Sequence, residues 1–202
     1  MKVVEIETLI SCGEFAASKD WEAIRERIVA NICEMEWPVG AGRFLINPQS
    51  GKKRGEGNGV KPIKDMLMAK LQDWDWHLEE PMDIATAKRP GKLDAVFYSD
   101  FGPIALEWET GNISSSHRAL NKMALGLLQN ALVAGVLIVP TRNFYRYLTD
   151  RVGNFKELAP YFYLWKNIPC TNGVLEVIAI EYDETCGDVP KFLKGTDGRA
   201  LA

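Results

Sequence analysis

A chain of 202 residues, 47% apolar and 25% charged, is long enough to bury a proper core and ordinary for a soluble globular fold. Its net charge of −3 argues against coating nucleic acid through a broad basic surface, while leaving room for a locally basic concave site. No apolar stretch approaches the ~18 residues of a membrane-spanning helix, so no membrane partner is expected.

In chain order, MKVVEIETLI lacks an apolar h-region with a cleavage site behind it, so no signal peptide is expected, and residues 2–9 alternate like a short strand. Asp20 to Met35 reads as an amphipathic helix with Trp21, Ile24, Ile28, Val29 and Ile32 on one face, closed off by Pro38. Residues 48–59, with QSGKKRGEGNG at their heart, form a glycine-rich basic loop, and a second helix is expected after Pro62 with Ile63, Met66, Leu67 and Leu71 inward. Leu93 to Tyr98 and Ile104 to Thr110 read as strands of a hairpin turning at Ser99 to Gly102. From about Ser116 the pattern turns helical, with Leu120, Met123, Ala124, Leu127, Leu128 and Ala131 at steps of three and four. Val133 to Val139 is then a buried strand, Asn143 to Leu148 a short helix and Val174 to Tyr182 another strand. Helices alternating with strands in this way indicate an α/β sandwich around one sheet, built by residues 1–202 as a single domain. Cys12, Cys33, Cys170 and Cys186 show no paired spacing, and two histidines leave little to build a zinc site from; the expected compartment is the reducing cytoplasm.

The strand Ala105-Leu106-Glu107-Trp108-Glu109 turns Leu106 and Trp108 to one face and both glutamates to the other, about 7 Å apart. Asp94, on the partner strand of the hairpin, brings a third carboxylate toward the same cleft. Two anions ~5 Å apart repel by about 3 kcal/mol at an effective dielectric of 20. Such a cluster must take up protons or a cation, and an all-oxygen set favours a hard ion such as magnesium. The same pattern also describes an exposed sheet face with solvated glutamates, and spacing alone does not decide between the two.

Behind Glu109 comes TGNISSSHR, whose serines are N-cap candidates for the following helix. His117 and Arg118 then fall in its first turn, where the helix dipole disfavours cations and a DNA phosphate or guanine edge would compensate. An ordinary polar cap is the competing description. Asp150 and Arg151 form an acid–base pair able to read one G·C pair, or simply a solvated helix end.

Five co-linear blocks are far more specific than any of these single motifs. They are NGVKPIK (58–64), EEPMDI (79–84), EWETGNISSSHRALNKMALGL (107–127), YLTDRVGNFKELAPYF (147–162) and KGTDGRA (194–200). Together they resemble the BamHI family of type II restriction endonucleases over most of the chain. The resemblance implies a restriction-endonuclease-like fold, a central mixed β-sheet sandwiched by α-helices. It implies Asp94, Glu107 and Glu79 as catalytic metal-binding carboxylates for Mg2+, the Trp108 carbonyl as a further ligand, and Glu109 as the residue that orients or deprotonates the attacking water. It also implies DNA contacts from Asn112, Ser114 and Arg118 to inner base pairs and from Asp150 and Arg151 to the outer G·C. Gly195, Thr196, Asp197 and Arg199 are expected near the minor groove, and Lys64 with the basic loop on phosphate. The implied substrate is double-stranded DNA bearing the palindrome GGATCC, cut after the first G to leave a 5′ overhang by a homodimer. A non-cleaving sequence-specific DNA-binding protein, or a nuclease for another nucleic acid, are the alternatives.

Overall fold

The computed structural model describes residues 1–53, 56–84, 91–149 and 152–193. Its centre is a six-stranded mixed sheet of β1 (Lys2–Cys12), β3 (His77–Met82), β4 (Gly91–Ser99), β5 (Gly102–Trp108), β6 (Ala134–Pro140) and β7 (Gly173–Glu181), in the order β1-β7-β6-β5-β4-β3. β5, β6 and β7 run parallel; β1 pairs antiparallel with β7, and β3, β4 and β5 form an antiparallel meander. A small parallel pair, β2 (Leu45–Ile46) with β8 (Glu184–Thr185), lies outside it.

Alternate residues of the strands feed two separate cores, as the period of two requires. Ile104, Leu106, Trp108, Val136, Ile138 and Ile178 join one core, which α2 (Lys19–Cys33) and α3 (Val60–Gln72) cover with Ile28, Ile32, Ile63, Leu67 and Leu71. Ala105, Leu137, Val139, Leu175 and Val177 join the other, under α4 (Ile113–Leu128), α6 (Phe155–Leu158) and α7 (Phe162–Lys166), which supply Leu120, Met123, Leu127, Leu158, Phe162 and Trp165. Two short helices, α1 (Gly13–Ala16) and α5 (Arg142–Tyr145), complete the order, with a 3-10 turn at Ala159–Tyr161. The expected sandwich of helices about a mixed sheet is thus the fold. Among the described residues no helix is long and apolar enough to cross a membrane.

Two helix starts differ from expectation. α3 begins at Val60, before Pro62, because a proline in the first turn forfeits only an N–H that has no helical acceptor. α4 begins at Ile113: Asn112 is the cap, its Oδ1 accepting the Ser114 N–H at 3.0 Å, and the serines lie inside the helix. His117 and Arg118 therefore stand in the second turn, where the dipole penalty has largely faded. β3 and the α6–α7 region were not expected as elements at all.

The loop after β2 is anchored by Asn58, which is wholly buried. Its Nδ2 donates to the carbonyls of Asn47 and Tyr147, both at 2.9 Å, and its Oδ1 accepts the Phe192 N–H. Its own backbone N–H donates to Tyr147 O and its carbonyl accepts from Thr149 N–H. The loop, the segment entering residue 150 and the end of the described chain thereby meet at one side chain.

Candidate active site

The β4–β5 ladder ends at Ala95 paired with Leu106. Carried one residue further, that register sets Asp94 opposite Glu107. Asp94 Oδ2 accepts the Trp108 N–H at 2.9 Å, so a side chain takes up a strand donor where the ladder stops, and Asp94 Oδ1 accepts from the Lys64 ammonium at 2.5 Å. Lys64 thus sits on α3 inside the carboxylate cluster and not out on the basic loop.

Glu107 is half-buried beside Asp94. Burial first, and then the Asp94 charge, push its carboxyl up to about 8 against the opposing pull of Lys122 and Lys64. Glu109, just past β5, is buried, its N–H donating to Ile138 O at 3.1 Å and its Oε1 accepting the Gly111 N–H at 2.5 Å. Burial raises its carboxyl above the usual range, with the Gly111 N–H opposing. As expected from the strand alternation, Leu106 and Trp108 face the core while both glutamates line the cleft.

On β3, Leu78 pairs with Ala95 and Glu80 with Leu93, so Glu79 stands opposite Asp94. Glu79, Asp94 and Glu107 therefore form a row across three adjacent strands. Glu79, however, has a left-handed backbone, φ 53°, its side chain is 59% exposed, and its carboxylate stands 3.9 Å from the Lys92 ammonium. It does not line the cleft that the other two share. Among the described residues, no group of three or more His, Cys, Asp or Glu side chains is gathered closely enough to hold a metal.

That cleft, of about 910 Å³, is also lined by Lys64, Lys92, Ser114, His117, Arg118 and Lys122. Lys122 donates to the carbonyls of Gly91 and Lys92, both at 2.9 Å, tying α4 to the start of β4. Burial lowers its affinity for a proton, and the charges of Glu107 and Asp94 restore part of it. Sequence reading passed over Lys122 as one more polar helix residue. The available signal was the row Ser114, Arg118, Lys122 at four-residue steps, one stripe of a helix. His117 is held against Tyr161 and Trp165, ring centroids 4.5 and 5.4 Å away. Asn112 is exposed at the helix cap. Asp150, Arg151, Gly195, Thr196, Asp197 and Arg199 lie outside the described residues.

A mixed sheet between helices, with carboxylates from an antiparallel strand pair opening onto a partly basic cleft, defines a nuclease of the restriction-endonuclease class. The fold is shared with a solved structure, the restriction endonuclease BglII in complex with a DNA 16-mer, at TM-score 0.62 over 96% of this chain and 90% of that one, with 10% sequence identity. The family model "Restriction endonuclease BamHI" matches residues 1–199. The chain is 46% identical to the type II restriction enzyme OkrAI of Oceanobacter kriegii over the whole of both chains. It is 35% identical to the type II restriction enzyme BamHI of Bacillus amyloliquefaciens, over 85% of this chain and 79% of that one. The chain belongs to the BamHI family of type II restriction endonucleases.

Proposed function

We propose that the protein is a cytoplasmic, magnesium-dependent endonuclease that acts as a homodimer on double-stranded DNA, cutting GGATCC after the first G on each strand to leave a four-base 5′ overhang. The observation that carries the proposal is the juxtaposition of Asp94 and Glu107 across the end of the β4–β5 ladder, with Glu109 beside them, in a cleft lined by cations.

The donor set suits magnesium. Its ligands are oxygens only, and the carboxyl of Glu107, pushed up to about 8, marks a place where a proton or a cation must balance Asp94. Asp94 and Glu107 would hold the ion with the Trp108 carbonyl as a further ligand, and Glu79 would join them only by turning in from the exposed position in which it faces Lys92. Bound there, it supplies charge neutralisation at the scissile phosphate and a more acidic water. Glu109, held by the Gly111 N–H, would orient the attacking water or accept its proton. Lys64 holds the Asp94 side chain in place through their ion pair. Asn112, Ser114 and Arg118 read the inner base pairs in the major groove, Asp150 and Arg151 the outer G·C, and the 195–199 segment lies near the minor groove. A palindrome read by identical sites calls for two-fold symmetry, hence the dimer.

Incubating the purified protein with plasmid DNA and Mg2+, then sequencing the ends, tests the whole proposal. Expected are ends at GGATCC only, and none from Asp94→Asn. Specific binding of GGATCC without cutting would make the carboxylates inert, and ends scattered over unrelated sequences would make the substrate a different one.

A further inference from the structure

Past β5 the chain is tied by two backbone hydrogen bonds in series. The Gly111 N–H donates to Glu109 Oε1 at 2.5 Å, and the Gly111 carbonyl accepts the Gly153 N–H at 2.9 Å. Gly153 follows Arg151 by two residues. Neither glycine has room for a side chain. A Cβ on Gly153 would lie 2.3 Å from Ser116 Oγ and 3.2 Å from Ile113 Cα; one on Gly111 would lie 2.7 Å from Ser115 Oγ and 3.0 Å from Glu109 Oε1. Ser116 is completely buried, and its hydroxyl finds no hydrogen-bond partner among the described residues. What it does is form the wall that seats the 153 backbone against the first turn of α4.

We propose that Gly153 and Gly111 are positioning residues, a backbone strap through which the seating of residues 152–154 against the start of α4 sets the orientation of the Glu109 carboxylate. The inference rests on the assignment of Glu109 to the nucleophile and of Asp150 and Arg151 to the outer base pair. The Gly153 N–H reaches Gly111 only while residues 152–154 lie close against the start of α4. When that segment is displaced, Gly111 loses one of its two anchors and Glu109 loses the fixed donor that aims it. A wrong outer base pair would then cost turnover as well as binding, because a carboxylate out of line with its water is a poor base.

The test uses Gly153→Ala, Ser116→Ala with Gly153→Ala, Gly111→Ala and Glu109→Gln, assayed with Mg2+ on a GGATCC duplex and on one with the outer pair changed. Misplacement of a catalytic group by about 1 Å costs on the order of 100-fold, and that loss is expected in kcat for Gly153→Ala with KM held within about twofold. Removing Ser116 Oγ opens space for the added methyl, so the double variant should recover most of the lost turnover. In Gly153→Ala the cleavage preference for the correct outer pair should shrink toward the preference seen in binding. Gly111→Ala, whose crowding is confined to the cleft, should show the same split between kcat and KM, and it decides the matter if Gly153→Ala does not fold. Wild-type turnover in both glycine variants, or equal losses in kcat and KM that the double variant leaves unrepaired, would overturn the strap. If Glu109→Gln cuts at the wild-type rate, the assignment of Glu109 has failed; if it is inactive while both glycine variants cut normally, the strap alone has failed.

Discussion

Replacing Glu107 with glutamine removes one ionisation from a half-buried site already holding Asp94, and the consequence can be worked out in size and sign. The folded carboxyl titrates at about 8 against an ordinary value of 4.5, because burial and the Asp94 charge both oppose its ionisation. A tenfold change in proton affinity is worth about 1.4 kcal/mol, so ionising Glu107 costs the fold on the order of 3–5 kcal/mol. The folded pKa is raised, so the native chain holds an extra proton between the two values. The stability this confers is complete below about 4.5 and is lost as pH rises through about 8. Near pH 5 wild type and Glu107→Gln should unfold together. Near pH 9, without metal, the variant should be the more stable, by about 6–20 °C in Tm for a chain of this size. Added Mg2+ should close that gap by stabilising the wild type alone, since only it offers both carboxylates. Thermal unfolding at a series of pH values, with and without Mg2+, measures all of this. Parallel stability curves for the two proteins from pH 5 to 9 would refute the electrostatic account. An equal Mg2+ shift in both would place the ion elsewhere.

Three further outcomes depend on other parts of the molecule. Asn58→Ala leaves the Asn47 carbonyl and the Phe192 N–H without their buried partner, at a cost of about 2–4 kcal/mol; urea unfolding should show it, and a loss under about 1 kcal/mol would remove Asn58 as the anchor. Arg25→Ala strands the Glu176 carboxylate, which is 4% exposed and otherwise bonded to the Thr8 hydroxyl, costing roughly 1–3 kcal/mol after allowance for the exposure of Arg25. Adding Glu176→Gln should restore more than half of that loss in the same assay. The Cys12 thiol is pushed up to about 11 by burial and then by neighbouring Cys170, so it stays neutral and unreactive at pH 8. Iodoacetamide at that pH should label exposed Cys33 well before Cys12, as peptide mass mapping would show.

What the sequence disclosed was governed by how local each signal is. The alternation Leu106, Glu107, Trp108, Glu109 is local, and it correctly separated core from cleft. The beginning of α4 is decided by a competition among cap residues, and three serines in a row concealed that Asn112 wins by reaching the Ser114 N–H. β3 carries Glu-Glu-Pro and no β-branched residue, so nothing in HLEEPM announces a strand. It is one because β4 has a free edge there, where Pro81 is tolerated at the outermost position of the sheet. The outward position of Glu79 was likewise illegible, since it follows from a left-handed backbone there that takes the side chain away from the cleft Asp94 and Glu107 share. Lys122 and the Gly153–Gly111 contact join segments some thirty to forty residues apart, beyond the reach of any periodicity. The family blocks nominated residues for the site without indicating how they are held.

The way they are held bears on specificity. Glu107 and Glu109 leave β5 only four residues, 109–112, before α4 begins, and that helix presents Ser114, Arg118 and Lys122 to the same cleft. Leu120, Met123 and Leu127 pack α4 into the core shared with β6 and β7, so the strand, the link and the helix form one stiff unit. Groups on such a unit cannot be adjusted separately: a base pair that pushes Arg118 aside also pushes Lys122 against the carbonyls of Gly91 and Lys92, three and two residues before Asp94. On the proposed assignment of Arg118 to the inner base pairs, an error there would be felt by the carboxylates through this rigid geometry. On the proposed assignment of Asp150 and Arg151 to the outer pair, an error there would need a separate link to the chemistry, and among the described residues the hydrogen bond from Gly153 to Gly111 is placed to supply it.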